Sequence, residues 1–272
     1  MACDVRPPRR SQLRNRLMVP AWELLEPDCP VPRTHQALVE ATQHLGLVGT
    51  GYHKPSLFLL HLNALLQALR NITFRLQAEK GKIPDFEAWY AEEQRAMRAD
   101  ALLVRFREAR NKVVKESSLA PKSSFRSGLF RGRQMKFAAE YERPLMIDSA
   151  AELERLRVSS FATLILDKER SAIGEQLGVE RTWVVEELGD GEVVSSCVAV
   201  LNTLGGLVSR AHARCGSSWR YEPIISDRQD QQELQVLLET DLDPSLSKTW
   251  GWDEATAELV AWLKAHGRLK DP

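Results

Sequence analysis

The sequence predicts a mainly α fold: a helical bundle with a small mixed α/β insertion, completed by C-terminal helices. Three observations predict it. Long stretches repeat apolar residues at steps of three and four, the period of a helix with one buried face. The segment 121–190 loses that period and gains glycine and β-branched residues. After it the helical period returns. The expected division is a basic, proline-rich arm over 1–32, a bundle over 33–120, the insertion over 121–190, and C-terminal helices over 191–272 packing on the bundle.

The arm holds six of the thirteen prolines, among Arg6, Arg9, Arg10, Arg14 and Arg16. This composition suits a basic segment laid over the fold or a flexible tail. Thr34 to Leu47 is the first expected helix. Pro55 opens the second at an early helical position, and Phe58, Leu59, Leu62, Leu65, Leu66, Leu69, Ile72 and Leu76 recur in it at helical spacing. Its reverse face carries Asn63, Gln67, Arg70 and Asn71, either a polar seam between helices or a subunit or ligand surface. Asp85 is expected to cap a third helix, Phe86 to Met97, and Asp100 a fourth.

In the insertion, residues 123–133 read as loop or short strand and 134–140 as strand or short helix. Ser149 and Glu152 have capping-box spacing ahead of Leu153 and Leu156. Residues 181–188 read as a strand. Glu192 to Cys215 is a long helix whose Cys197, Leu201, Leu204, Val208, Ala211 and Cys215 form a packing seam. Gly205-Gly206 within it permits close approach of a neighbour. Ser226 with Gln229 is expected to cap a helix reaching Thr240, and Asp253 a last one, Glu254 to His266, with Trp250 and Trp252 pinning it to the core.

Composition excludes little. The 272 residues carry no net charge, with 43% hydrophobic and 27% charged residues, as an ordinary globular protein does. The start lacks a secretory signal, and no stretch reads as roughly 18 continuous apolar residues. The expectation is a cytoplasmic protein with no membrane partner. Cys3, Cys29, Cys197 and Cys215 show no metal-like spacing and read as reduced thiols. No two histidines stand at i,i+3 or i,i+4, so no helix-borne metal site is expected. Gly205-Gly206 lacks a phosphate-binding fingerprint, and no cofactor is implied.

One position breaks the helical pattern. In residues 102–115, Leu102, Leu103, Phe106, Ala109, Val113 and Val114 fill one apolar arc, and Arg110 falls inside it. A buried charge costs several kcal/mol unless paired or hydrogen-bonded. Arg110 is therefore either an anchor with a carboxylate partner, such as Asp85, Glu92 or Asp100, or part of a site. Around it, residues 104–136 hold ten basic residues against Glu108 and Glu116. Arg107, Arg110, Lys122, Arg126, Arg131 and Arg133, interleaved with Phe125 and Phe130, form a candidate nucleic-acid surface. The alternative is a solvated face, or pairing with the acids between Glu222 and Glu258.

The Arg110-Asn111 pair, followed by Lys115-Glu116, resembles the signature helix of HEPN-type helical domains. The stretches 69–77, 86–90 and 110–116 also resemble a group of uncharacterised bacterial proteins. The resemblance spans roughly residues 34–118. It implies a HEPN-like bundle, dimerisation, and metal-independent RNA cleavage, with Arg110 on phosphate and Asn111 and Lys115 in support. The family's histidine is replaced here by Lys115, which is protonated at neutral pH and a poor base. Two readings follow. The first is a binding or regulatory module acting through helix-mediated contact with a protein partner or a second copy. The other is an RNA-binding or ribonuclease-like protein, degenerate at Lys115.

Overall fold

The computed structural model describes residues 28–116, 119–159, 175–246, 261–262 and 265–266. Almost all of the arm, and most of the expected last helix with Trp250 and Trp252, lie outside them. Two compact units divide the chain. Among the described residues, a helical unit takes those from 28 to 123 and Thr182–Asp230, and a sheet unit takes those from 124 to 181 and after 230.

In the helical unit, α1 (Pro32–Thr50) and α2 (Pro55–Ala78) both begin on proline, whose fixed φ and missing N–H suit a first helical position. Val31, which precedes α1, has no capping side chain. Glu79 supplies the cap from a distance, accepting hydrogen bonds from Thr34 N at 2.9 Å, Thr34 Oγ1 at 2.8 Å and Arg33 N at 3.3 Å. Helix α3 (Phe86–Ala99) starts after Asp85, which has φ 51° and makes no side-chain cap, contrary to expectation. Asp100 does cap α4 (Ala101–Glu116), accepting from the amides of Leu102 and Leu103.

The long helix is α6, Val193–Arg214, since α5 is the Ser149–Arg157 helix of the sheet unit. By length and composition alone α6 could cross a membrane, which departs from the sequence reading. Twelve of its residues are buried, however, and it packs on α1 and α2 as a core helix. Gly205 serves the close approach expected of it. A Cβ there would lie 2.4 Å from the Tyr221 ring. The strand residues 182–185 lie in this unit, where Trp183 stacks on Phe58 at 4.3 Å and donates to Tyr52 O at 2.9 Å.

The sheet has the order β2-β1-β3-β4, from β1 (Pro121–Arg131), β2 (Gln134–Tyr141), β3 (Glu175–Val185) and β4 (Val236–Leu238). The pairs β1–β2 and β3–β4 are antiparallel. Residues 123–133, read as loop or short strand, are mostly β1. Their lack of clean alternation has a physical cause, because both faces of the sheet are apolar. Phe125 joins Leu153, Leu156, Leu177 and Val179 on one side, while Phe130 joins Val236 and Leu238 on the other. Leu153 and Leu156 come from α5 (Ser149–Arg157). Its cap is Asp148, one residue earlier than expected, and Glu152 turns instead to Tyr141, Arg143 and Arg155. The expected helix to Thr240 is broken into α7 (Arg228–Gln235), β4 and the single turn α8 (Glu239–Leu242). Three apolar residues, Val236 to Leu238, are claimed by the sheet edge because β3 offers unpaired backbone groups to them.

Candidate functional site

Helices α2, α3, α4 and α6 of the helical unit enclose a cavity of about 250 Å³. Its floor is apolar: Leu66, Leu69, Phe106, Val200 and Leu204 are all at most 5% exposed. Its rim carries Arg70, Arg98 and Arg107, with Thr73, Gln77, Tyr90 and Gln94, and none of the described lining residues is a carboxylate. The spacing on α2 explains the arrangement. Leu66, Leu69, Thr73 and Leu76 take the inner face, so Arg70, Phe74 and Gln77 fall at its edge.

Arg70 is held in place. Its Nη1 donates to Thr73 Oγ1 at 2.7 Å, and its guanidinium sits 4.0 Å above the Phe74 ring. Burial lowers its pKa, and the neighbouring cations Arg110 and Arg107 lower it further, against the pull of Tyr90. The guanidinium remains charged at neutral pH, so like charges are crowded at the rim and an incoming anion would relieve them. Arg107 makes one exposed contact with Glu108 at 3.4 Å. Arg98 forms no ion pair among the described residues.

Arg110 is half-buried beside this rim, and its counterpart is an amide rather than a carboxylate. Nε donates to Gln67 Oε1 at 3.0 Å and Nη1 to Asn111 Oδ1 at 3.3 Å. None of the three expected acids serves it. Asp100 caps α4, and Asp85 lies 3.6 Å from Arg214. The amide stripe of α2 is thus, at Gln67, an interhelix seam. Asn111 and Lys115 are exposed on α4.

The six residues expected to touch nucleic acid separate. Arg107 and Arg110 stand at or beside the cavity. Lys122 pairs with Glu186 at 3.2 Å in the helical unit. In the sheet unit Arg126 meets Glu180 at 2.9 Å, Arg131 meets Glu175 at 2.8 Å, and Arg133 meets Asp241 through both Nη atoms. These acids lie mostly at 175–187, earlier than the acidic stretch the sequence singled out.

A second constellation went unseen in the sequence. Cys29, His35 and His212 bring three possible metal-ligand atoms within 4.8 Å of one another. A search for histidine pairs on one helix misses it because the two histidines lie on different helices, 177 residues apart, and the third ligand is a cysteine. The single local trace was the short interval from Cys29 to His35.

These features define a mainly helical protein with a small four-stranded sheet and a cationic cavity in its helical unit. The chain belongs to the family of bacteriophage lambda protein ea47, whose family model matches residues 22–240. It is similar to protein ea47 of Escherichia phage lambda, with 26% identity over 155 residues. That match takes in 55% of this chain and 36% of the relative, so it spans about a third of the relative's length. No solved structure matches. The family finding overturns the resemblance to HEPN domains and to the bacterial group. The HEPN resemblance rested on four residues at the end of a basic amphipathic helix, and the bacterial one on three short helical stretches, patterns that helices reach without common descent.

Proposed function

We propose that the protein is a binding module whose helical unit captures an acidic, apolar segment of a partner protein. One observation carries this reading: an apolar floor ringed by three guanidiniums with no carboxylate among the lining residues. The cavity of about 250 Å³ lies just below the usual range for a whole small-molecule site, about 300–1,000 Å³. It suits one or two side chains of a docked segment. An aromatic or aliphatic side chain would fill the floor, and flanking Asp or Glu would meet Arg98 and Arg107. Phe74, 45% exposed at the edge, extends the apolar contact. Lys122, Arg126, Arg131 and Arg133 already pair with carboxylates distant in sequence, and Arg107 touches its neighbour Glu108, which favours a compact acidic ligand over an extended polyanion.

The test is selection of a displayed random-peptide library on the immobilised chain. Enriched peptides are expected to place Asp or Glu beside Trp, Phe or Leu. They should lose binding to Arg98→Glu and Arg107→Glu proteins that keep the wild-type circular dichroism. Enrichment indifferent to acidic residues would overturn the reading. So would tight RNA binding that the same two substitutions abolish.

A further inference from the structure

Cys29 precedes α1, His35 lies in its first turn, and His212 lies in the last turn of α6. Cys29 Sγ is 3.5 Å from His35 Nδ1 and 3.2 Å from His212 Nε2. Around a tetrahedral zinc ion, with bonds of about 2.3 Å to sulfur and about 2.0–2.1 Å to nitrogen, neighbouring S and N ligands stand about 3.5 Å apart. The observed separations match that edge within a few tenths of an ångström.

A second observation concerns orientation. His212 Nδ1 lies 2.9 Å from Val208 O. A carbonyl only accepts, so Nδ1 carries a proton, and Nε2 is the ring nitrogen that faces the sulfur. Metal-bound imidazoles usually have such an outer hydrogen bond, which fixes tautomer and ring angle together. The Trp219 ring packs at 4.4 Å from that of His35 and 4.5 Å from that of His212, giving both a shared apolar wall. His35 and His212 are buried, at 2% and 0% exposure, while Cys29 is half-buried and leaves a side for entry.

We infer that Cys29, His35 and His212 bind a divalent transition metal, zinc by preference, through one thiolate and two imidazoles. A thiol activated by a single base would use one histidine, whereas here two imidazoles approach the same sulfur. The mixed sulfur and nitrogen set selects a borderline-soft ion over calcium or magnesium. Binding exchanges the thiol proton for the metal, and that proton leaves to solvent. Three protein ligands leave the fourth tetrahedral position to water or an exogenous group. The ion also ties the start of α1 to the end of α6. This site is independent of the cationic cavity and of the reading drawn from it.

Cobalt(II) titration of the chelator-treated full chain tests the inference. The expected result is about one equivalent bound, with a thiolate-to-cobalt band in the near ultraviolet and the strong visible bands of a tetrahedral site. Zinc should displace it. Cys29→Ala should remove the thiolate band and weaken affinity by about tenfold or more, and His212→Gln should weaken it by at least about tenfold. Wild-type far-ultraviolet dichroism in Cys29→Ala shows that the fold survives. Zinc should also slow iodoacetamide alkylation of Cys29, followed by peptide mass spectrometry. Cobalt bound without a thiolate band, equal affinity in Cys29→Ala, or alkylation of Cys29 unaffected by zinc would each overturn the site.

Discussion

Arg126, Arg131 and Arg133 of the sheet unit each meet a carboxylate within 2.9 Å, while Arg70, Arg98 and Arg107 of the helical unit surround a cavity lined by none. The cause lies in the two architectures. Neighbouring strands stand about 4.8 Å apart, so an arginine on β1 always has a cross-strand residue within reach. Packed helices stand about 8–10 Å apart, and side chains at their edges can remain without an opposite number. The cations on and next to β1 are thus neutralised by nearby carboxylates, whereas those around this cavity meet none in its described lining.

The largest expected effect attacks the sheet unit at Arg181, which is fully buried. Its guanidinium donates to Ile147 O at 2.8 Å and Leu145 O at 2.7 Å, and lies 4.6 Å from the Phe125 ring. Arg181→Ala leaves two carbonyls without this donor and opens a void, at a cost of about 3 kcal/mol or more. Arg181→Met keeps most of the volume and should cost less. Urea unfolding measures both. A loss below about 1 kcal/mol for the alanine variant would remove the sheet unit's dependence on buried charge.

The helical unit should break through shape instead. Tyr221 lies in the notch left by Gly205, its hydroxyl donating to Asn202 Oδ1 at 3.0 Å and its amide to Ser209 Oγ at 2.6 Å. Burial pushes the phenol pKa up, so it stays neutral through the physiological range. Gly205→Ala drives a methyl group into the ring and should cost about 1–3 kcal/mol. Adding Tyr221→Ala should recover part of that loss, and strictly additive effects would exclude the contact as its cause.

Two helix-capping carboxylates sharpen the contrast within one unit. Burial pushes the Glu79 carboxyl up, but hydrogen bonds from Lys82, Thr34 and Arg33 outweigh it and hold the pKa below the ordinary range. Its stabilisation is present above the unfolded value of about 4.3 and is lost as pH falls through the folded one. Glu79→Gln should cost about 1–2 kcal/mol at pH 7, with the difference closing in acid. Glu192 caps α6 through Ser195 N at 2.8 Å, yet burial dominates and raises its pKa. It favours the fold when protonated, a contribution present below the unfolded value and lost as pH rises through the folded one. Glu192→Gln should thus be neutral or stabilising at pH 7. Thermal melts from pH 3 to pH 8 distinguish the two, and parallel curves would refute the assignment.

The helices were legible because their signals are local. Pro55 and Asp100 each act within a few residues. Strand β1 was ambiguous because burial on both faces erases period-two alternation, and β4 was hidden inside a helical pattern that only a neighbouring strand overrides. The cavity was half legible. Arg107 and the amide-rich face of α2 stood out, but Arg98 had no signal beyond being one more surface cation. The fate of Arg126, Arg131 and Arg133 depended on acids 44 to 108 residues away, and no window of sequence holds both members of such a pair.

The smallest effect on stability tests the comparison most directly. Arg126→Gln removes a half-exposed cross-strand pair, and such pairs contribute about 0.2–1 kcal/mol. Arg107→Gln removes an exposed rim cation whose acid contact, among the described residues, is its neighbour Glu108, so its stability change should stay within about 0.5 kcal/mol. The two proteins should melt almost alike. Binding of a selected acidic peptide should separate them, falling about tenfold in Arg107→Gln, as for a lost charge-assisted contact of about 1.4 kcal/mol, and not at all in Arg126→Gln. Raising salt from 50 to 300 mM should weaken the wild-type complex and narrow the gap, since the rim is open to screening. Equal losses in both variants would mean that a carboxylate neighbour does not silence an arginine on this surface. The distinction between the two units would then fall with it.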